Sequence, residues 1–84
     1  MGVAIITGAS RGIGAATAIQ AAAKGYSVVV NYRSNEQAAL AVVDQITSSG
    51  GIAIPIVADI GTESHVLRLF DETLSKFGLS LIHI

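Results

Sequence analysis

The chain contains no cysteine, no tryptophan and a single proline, and only 13% of its 84 residues are charged. Without cysteine, disulfides and thiolate metal sites are excluded, which fits a reducing compartment. Acids and bases nearly cancel, leaving a net charge of −1. No global field therefore draws the protein to nucleic acid or to an anionic surface. No apolar run approaches membrane-spanning length. The N-terminus shows neither a basic leader segment nor a cleavage pattern. Ile6 stands where an N-myristoylation pattern requires Ser or Thr. These absences lead us to expect a soluble, cytoplasmic protein with no nucleic-acid and no membrane partner.

What is present is apolar. Ala, Ile and Val supply most of the 51% hydrophobic share, and aromatics only 5%. That composition suits buried parallel strands covered by helices. The length allows one small domain. There is no low-complexity segment, linker or convincing internal repeat.

Three strand–helix units follow one another. Val3–Thr7 is a continuous apolar strand. The spacing predicts a helix from Gly12 to Lys24, with Ile13, Ala16, Ile19 and Ala23 available for its inner face. Lys24 followed by Gly25 is a stop signal. Ser27–Tyr32 reads as a second strand. Ser34 and Gln37 have capping-box spacing, opening a helix that runs to Ser49 and buries Ala39, Leu40, Val43 and Ile46. Gly50–Gly51 ends it. Ile52–Ala58 is a third strand, and Pro55, which has no N–H to give a ladder, assigns it to a sheet edge. Thr62 is positioned to cap a third helix, whose positive end Glu63 favours. Val66, Phe70, Leu74 and Phe77 form one apolar stripe on it, and Gly78 closes it.

Alternating strands and helices define an α/β architecture with a parallel sheet, expected in the order 3-2-1 with right-handed crossovers. The first two helices are expected on one face and the third on the other. Strand one would then present an unpaired apolar edge, which predicts marginal folding and self-association.

The segment VAIITGASRGIG places Gly8, Gly12 and Gly14 between the first strand and the first helix. Gly8 lets the chain turn sharply out of the strand. Gly12 lets backbone N–H groups approach a pyrophosphate, and Gly14 lets the helix pack close to the sheet. The helix mouth then offers free donors and a favourable dipole to an anion. No Gly-Lys-Ser/Thr follows, so this is not a P-loop.

The string TGASRGIG resembles the cofactor motif of the short-chain dehydrogenase/reductases, and the likeness extends over residues 2–78, including VVVNYRSN and VADI. In appearance the chain is most similar to bacterial sugar-dehydrogenase-like and 3-oxoacyl-thioester-reductase-like members. The resemblance implies the N-terminal half of a Rossmann doubly wound parallel sheet (β-α-β-α-β-α). It also implies an oxidoreductase that transfers hydride between NAD(P) and an alcohol or carbonyl. Thr7, Gly8, Gly12 and Gly14 would line the pyrophosphate turn, with contacts from Ser10, Arg11 and Ile13. Asp59 would accept from the adenine amino group, and the Ile60 N–H would address the same ring. A full-length relative is expected to be a homo-oligomer.

The second strand ends Asn31-Tyr32-Arg33-Ser34 without the acid that would hold an NAD ribose. A carboxylate there would repel a 2′-phosphate, whereas Arg11 and Arg33 could pair with it. NADP is therefore the preferred cofactor, with NAD possible, and Tyr32, Arg33 and Ser34 are cofactor-binding candidates at this strand end.

The family's reaction requires Tyr-x-x-x-Lys, and this sequence has none. Lys24 and Lys76 are preceded at that distance by Gln20 and Glu72, and Tyr26 and Tyr32 are followed by Val30 and Glu36. Asn-Asn-Ala-Gly is absent too, so no catalytic residue is assigned and the chain alone is predicted to be inactive. A stand-alone nucleotide-binding or interaction module and a nonfunctional fragment remain alternatives. Residues 1–78 read as a partial dinucleotide-binding domain. Residues 79–84 (LSLIHI) read as an atypical tail, a truncation or read-through product, in which His83 suits an inner strand poorly. His65, in the first turn of the third helix, reads as a surface residue. No metal constellation is expected.

Overall fold

The computed structural model describes residues 2–9, 12–77 and, for the backbone alone, 81–83. The elements follow the order β1 (Val3–Ile6), α1 (Gly12–Ala23), β2 (Ser27–Tyr32), α2 (Glu36–Ser48), β3 (Ile52–Val57), α3 (Glu63–Phe77) and β4 (Leu81–His83). All strand pairs are parallel, and the sheet order is β3-β2-β1-β4.

β1 is buried along its whole length, and Val28, Val29 and Val30 of β2 are inaccessible. β-Branched residues on both faces account for these central strands. Pro55 pairs in register with Val30, and β3 lies at the sheet edge as Pro55 predicts.

Each face of the sheet has its own core. On one, Ala4, Ile6, Val28, Val30, Tyr32 and Ala53 pack against Ala18 and Ala21 of α1 and Ala39, Val42 and Ile46 of α2. On the other, Val3, Ile5, Val29 and Ile56 meet Leu69 of α3, with Ile54, Phe70 and Phe77 packed around them. The two-face arrangement is the expected one, but the helix faces differ from the periodicity reading. In α1, Ile13 is 88% exposed and Ala16 and Ala23 face outward; the inner face runs through Ala15, Ala18, Ala21 and Ala22, with Ile19 beside it. In α2, Leu40 is exposed and Val42 takes the buried position. In α3, Leu74 is exposed, and the buried centre is Leu69 and Thr73, whose hydroxyl donates to the Leu69 carbonyl at 2.7 Å.

The caps also differ in one place. Asn35, not Ser34, caps α2, its Oδ1 accepting from the Ala38 N–H at 3.0 Å. The glycine stops hold for both helices: the Tyr26 N–H reaches back to the Ala21 carbonyl, and the Gly51 N–H to that of Ile46. At α3 the Thr62 carbonyl receives the first helical bond, from Val66 at 3.1 Å. The stop expected at Gly78 lies outside the described residues.

The outer edge of β1 is paired, contrary to expectation. Leu81, Ile82 and His83 align with Val3, Ala4 and Ile5 as a short parallel strand. The tail therefore supplies backbone partners where an open edge had been anticipated, and His83 lies in an edge strand, not an inner one.

Candidate nucleotide-binding site

The C-terminal ends of β1, β2 and β3 lie side by side, and the chain reverses its order across the sheet between β1 and β4. In an open parallel sheet the crevice beyond such a reversal is where ligands sit. Three connections meet there: the glycine turn after β1, the Arg33–Asn35 link after β2 and the Ala58–Thr62 link after β3.

The glycine turn takes the form its residues require. Gly8 (φ 62°) and Gly12 (φ 66°) occupy the left-handed region that side chains disfavour. Among the described residues, apart from its chain neighbours, a Cβ added at either would have no atom within 4 Å, so the bare backbone faces open space. At Gly14 the reverse holds: a Cβ would collide with the Gly8 carbonyl oxygen, and would stand 2.9 Å from its carbon and 3.1 Å from the Ala9 Cα. Thus α1 sits hard against the turn, with its first-turn N–H groups lacking helical partners. That first turn carries no acid, whereas α2 and α3 begin with Glu36 and Glu63. No carboxylate from α1 itself competes for the positive end of this helix. Ile13 stands fully outward at the mouth.

The turn is fastened to β2 by Asn31, which is 2% exposed. Its carbonyl accepts from the Ala9 N–H at 2.9 Å, and its Oδ1 from the Gly8 N–H at 3.4 Å. Its Nδ2 donates to the carbonyls of Ile56 (3.3 Å) and Ala58 (3.2 Å). One carboxamide thus joins the ends of all three strands. The site-residue reading missed Asn31. The available signal was a polar residue inside the run VVVNY, which a buried strand tolerates only with its hydrogen bonds met.

The remaining candidates fall around this frame. Thr7 is half-buried at the end of β1. The Tyr32 ring is buried in the α1–α2 core, and its hydroxyl donates to Glu36 Oε2 at 3.3 Å. Burial raises its pKa, and the Glu36 charge and hydrogen bond push the same way. Arg33 and Ser34 are exposed on the β2–α2 link. Arg33 Nε lies 3.7 Å from Asp59 Oδ2, a pair whose side chains are 79% and 37% accessible. Such a pair contributes about 1 kcal/mol or less and yields readily to another anion. Ile60 is exposed beside Asp59. Ser10 and Arg11 lie outside the described residues. The structure thus brings Gly8, Gly12, Gly14, Arg33 and Asp59 to one end of the sheet, and turns the Tyr32 side chain into the core.

His65, read as a surface residue, is exposed but not idle: its Nδ1 accepts from the Asp59 N–H at 3.1 Å. No sequence pattern marks a contact between a loop amide and a side chain six residues later.

Residues 2–81 match the short chain dehydrogenase family. The chain belongs to that family. A probable tetrahydroxynaphthalene reductase of Zymoseptoria tritici is 50% identical over 76 residues, covering 90% of this chain and 28% of the relative. A versicolorin reductase of Emericella nidulans is 49% identical, covering 90% and 29%. Among solved structures, a hydroxysteroid dehydrogenase from Escherichia coli superposes with a TM-score of 0.89 at 43% identity, covering 98% of this chain and 35% of that one. A landomycin C-6 ketoreductase, LanV, solved with bound NADP and rabelomycin, superposes at 0.82 and 34% identity, covering 94% and 34%. The short-chain dehydrogenase family binds nicotinamide cofactors, and this chain spans about 28% of the length of the curated relatives it matches. No helix among the described residues is long and apolar enough to cross a membrane.

Proposed function

We propose that this chain is the cofactor-binding part of a short-chain oxidoreductase and holds the adenosine and diphosphate portion of a nicotinamide dinucleotide, NADP in preference to NAD. The observation that carries this reading is the open, bare-backbone turn of Gly8 and Gly12 at the mouth of α1. Gly14 lets the helix approach, and Asn31 ties the turn to the ends of β2 and β3. The diphosphate lies along that turn, with Ser10, Arg11 and Ile13 contributing to it. Asp59 and the Ile60 N–H address the adenine. The cofactor, when bound, supplies or accepts the hydride exchanged with an alcohol or carbonyl in the intact enzyme.

Arg33 decides the cofactor preference. Its guanidinium is exposed and, among the described residues, held only by a loose pair with Asp59, so it can turn to a 2′-phosphate. Tyr32 and Ser34 set the backbone course that delivers it. The intact enzyme's acid/base residues belong to Tyr-x-x-x-Lys, which these 84 residues lack, so the chain binds cofactor without turning it over.

Calorimetric titration with NADP+ and NAD+ tests the reading. NADP+ should saturate the wild-type chain and bind more tightly than NAD+. Arg33→Ala should erase the preference by weakening NADP+ about tenfold while leaving NAD+ nearly unchanged. An unchanged preference would remove Arg33 from the assignment. Absence of saturable binding of either cofactor would remove the assignment itself.

A further inference from the structure

Three consecutive residues, from the last of β3 into its link to α3, are each held by a side chain from another position. The Val57 carbonyl accepts from the Arg68 guanidinium, the Ala58 carbonyl from Asn31 Nδ2, and the Asp59 N–H donates to His65 Nδ1 at 3.1 Å. Asp59 then closes a tight turn: its Oδ1 accepts from the Gly61 N–H at 2.9 Å and its carbonyl from the Thr62 N–H at 3.0 Å. These contacts leave Oδ2 on the side of Arg33. The direction of this carboxylate is therefore set by how its own backbone is held, and the Asp59 amide is held by an imidazole.

An imidazole nitrogen accepts a hydrogen bond only while it carries no proton, so the ring proton sits on Nε2. A second proton would make Nδ1 a donor facing the N–H donor of Asp59. The contact would be lost and the amide left to find water.

We propose that His65 is a positioning residue for the nucleotide site: unprotonated, it fixes the Asp59 backbone and with it the carboxylate that addresses the adenine. Affinity for an adenine nucleotide then falls as the ring is protonated. This rests on the reading of Asp59 as a nucleotide contact. The charged groups linked to His65 by contact or by position on its helix are Asp59 on the connection, Arg33 beyond it through the ion pair, and Glu63 and Arg68 within three residues of it on α3. Arg33 and Arg68 oppose the imidazolium, and the carboxylates attract it. Attraction to Asp59 would draw the ring from the amide to the carboxylate and occupy oxygens the nucleotide needs. Both routes lower affinity in acid.

The test uses the whole chain labelled with 15N. The Asp59 amide and the His65 ring proton resonances should change together across one pH range, with a common midpoint. In His65→Gln, whose side-chain oxygen can accept without titrating, the Asp59 amide should stay constant over the same range. NADP+ titrations across that range should show wild-type affinity falling about fivefold more than that of His65→Gln. The variant cancels the titration of the cofactor's own phosphate. An Asp59 amide that ignores the His65 titration overturns the contact, and this needs no variant. Equal pH dependence in the two proteins overturns the positioning role. Failure of NADP+ to bind either protein at any pH overturns the nucleotide reading and the role built on it, while a shared midpoint would still establish the contact.

Discussion

The Gly8 N–H points at the Oδ1 of Asn31, 3.4 Å away across the β1–β2 boundary. Through that contact the first turn of the site shares an anchor with the end of β3, because the same carboxamide donates to Ile56 and Ala58. Replacing Asn31 with Ala removes its side-chain bonds to the Ile56 and Ala58 carbonyls and to the Gly8 N–H. The expected cost is about 3 kcal/mol of stability, measured by urea denaturation. Asn31→Asp should be worse at neutral pH, because a carboxylate cannot donate to those carbonyls. It should recover stability as pH falls and the carboxyl regains a proton.

Gly14 and Gly12 should respond differently to the same added methyl. At Gly14 an Ala side chain meets backbone that cannot step aside. Gly14→Ala should therefore lower stability by about 2 kcal/mol and loosen α1 from the sheet. At Gly12 the methyl meets open space, and the cost is the left-handed backbone alone, about 1 kcal/mol. Cofactor affinity should fall further than stability does, because the methyl occupies space assigned to the phosphates. Parallel denaturation and NADP+ titration of the two variants separate these effects.

Burial, and then Glu36, raise the pKa of Tyr32. A group whose folded pKa exceeds its unfolded value favours the fold below the unfolded value and loses that contribution as pH rises toward the folded one. Stability should therefore carry no Tyr32 dependence near neutrality and should decline above about pH 10. Tyr32→Phe should remove that alkaline component. Chemical denaturation of both proteins as a function of pH checks it.

The pairing of Leu81–His83 with β1 predicts that a chain ending at Phe77 is less stable and self-associates more. Sedimentation velocity of the two lengths at equal concentration is the check. Equal monomer content would assign no protective role to β4.

Much of the fold could be read from residue pattern because glycine and β-branched residues have few structural uses. The strands, the helix stops at Gly25 and Gly50 and the edge position required by Pro55 all follow from local chemistry. The inner faces of the helices do not. In α1 alanine occurs on every side, so hydrophobicity could not choose between the Ala16–Ala23 side and the Ala18–Ala21 side; the close approach at Gly14 makes that choice. In α3, Thr73 looks polar in sequence, yet its hydroxyl is satisfied within the helix and can be buried. Leu40 is exposed because the turn of α2 is set by Ala39, Val42 and Ile46 against the sheet. The form of the glycine turn was legible where backbone conformation or close packing dictates residue type, at Gly8, Gly12 and Gly14. The contacts of Asn31 and His65 were not legible, because they depend on which loop amides and carbonyls the fold brings within reach.

The most direct measurement is a 15N–1H spectrum of the chain titrated with NADP+. The account predicts that the largest shifts fall on the amides of Gly8 through Ala15, with a second group at Arg33 and at Asp59 to Gly61. Saturable shifts confined to other surfaces, or none at millimolar cofactor with the fold intact, would contradict it.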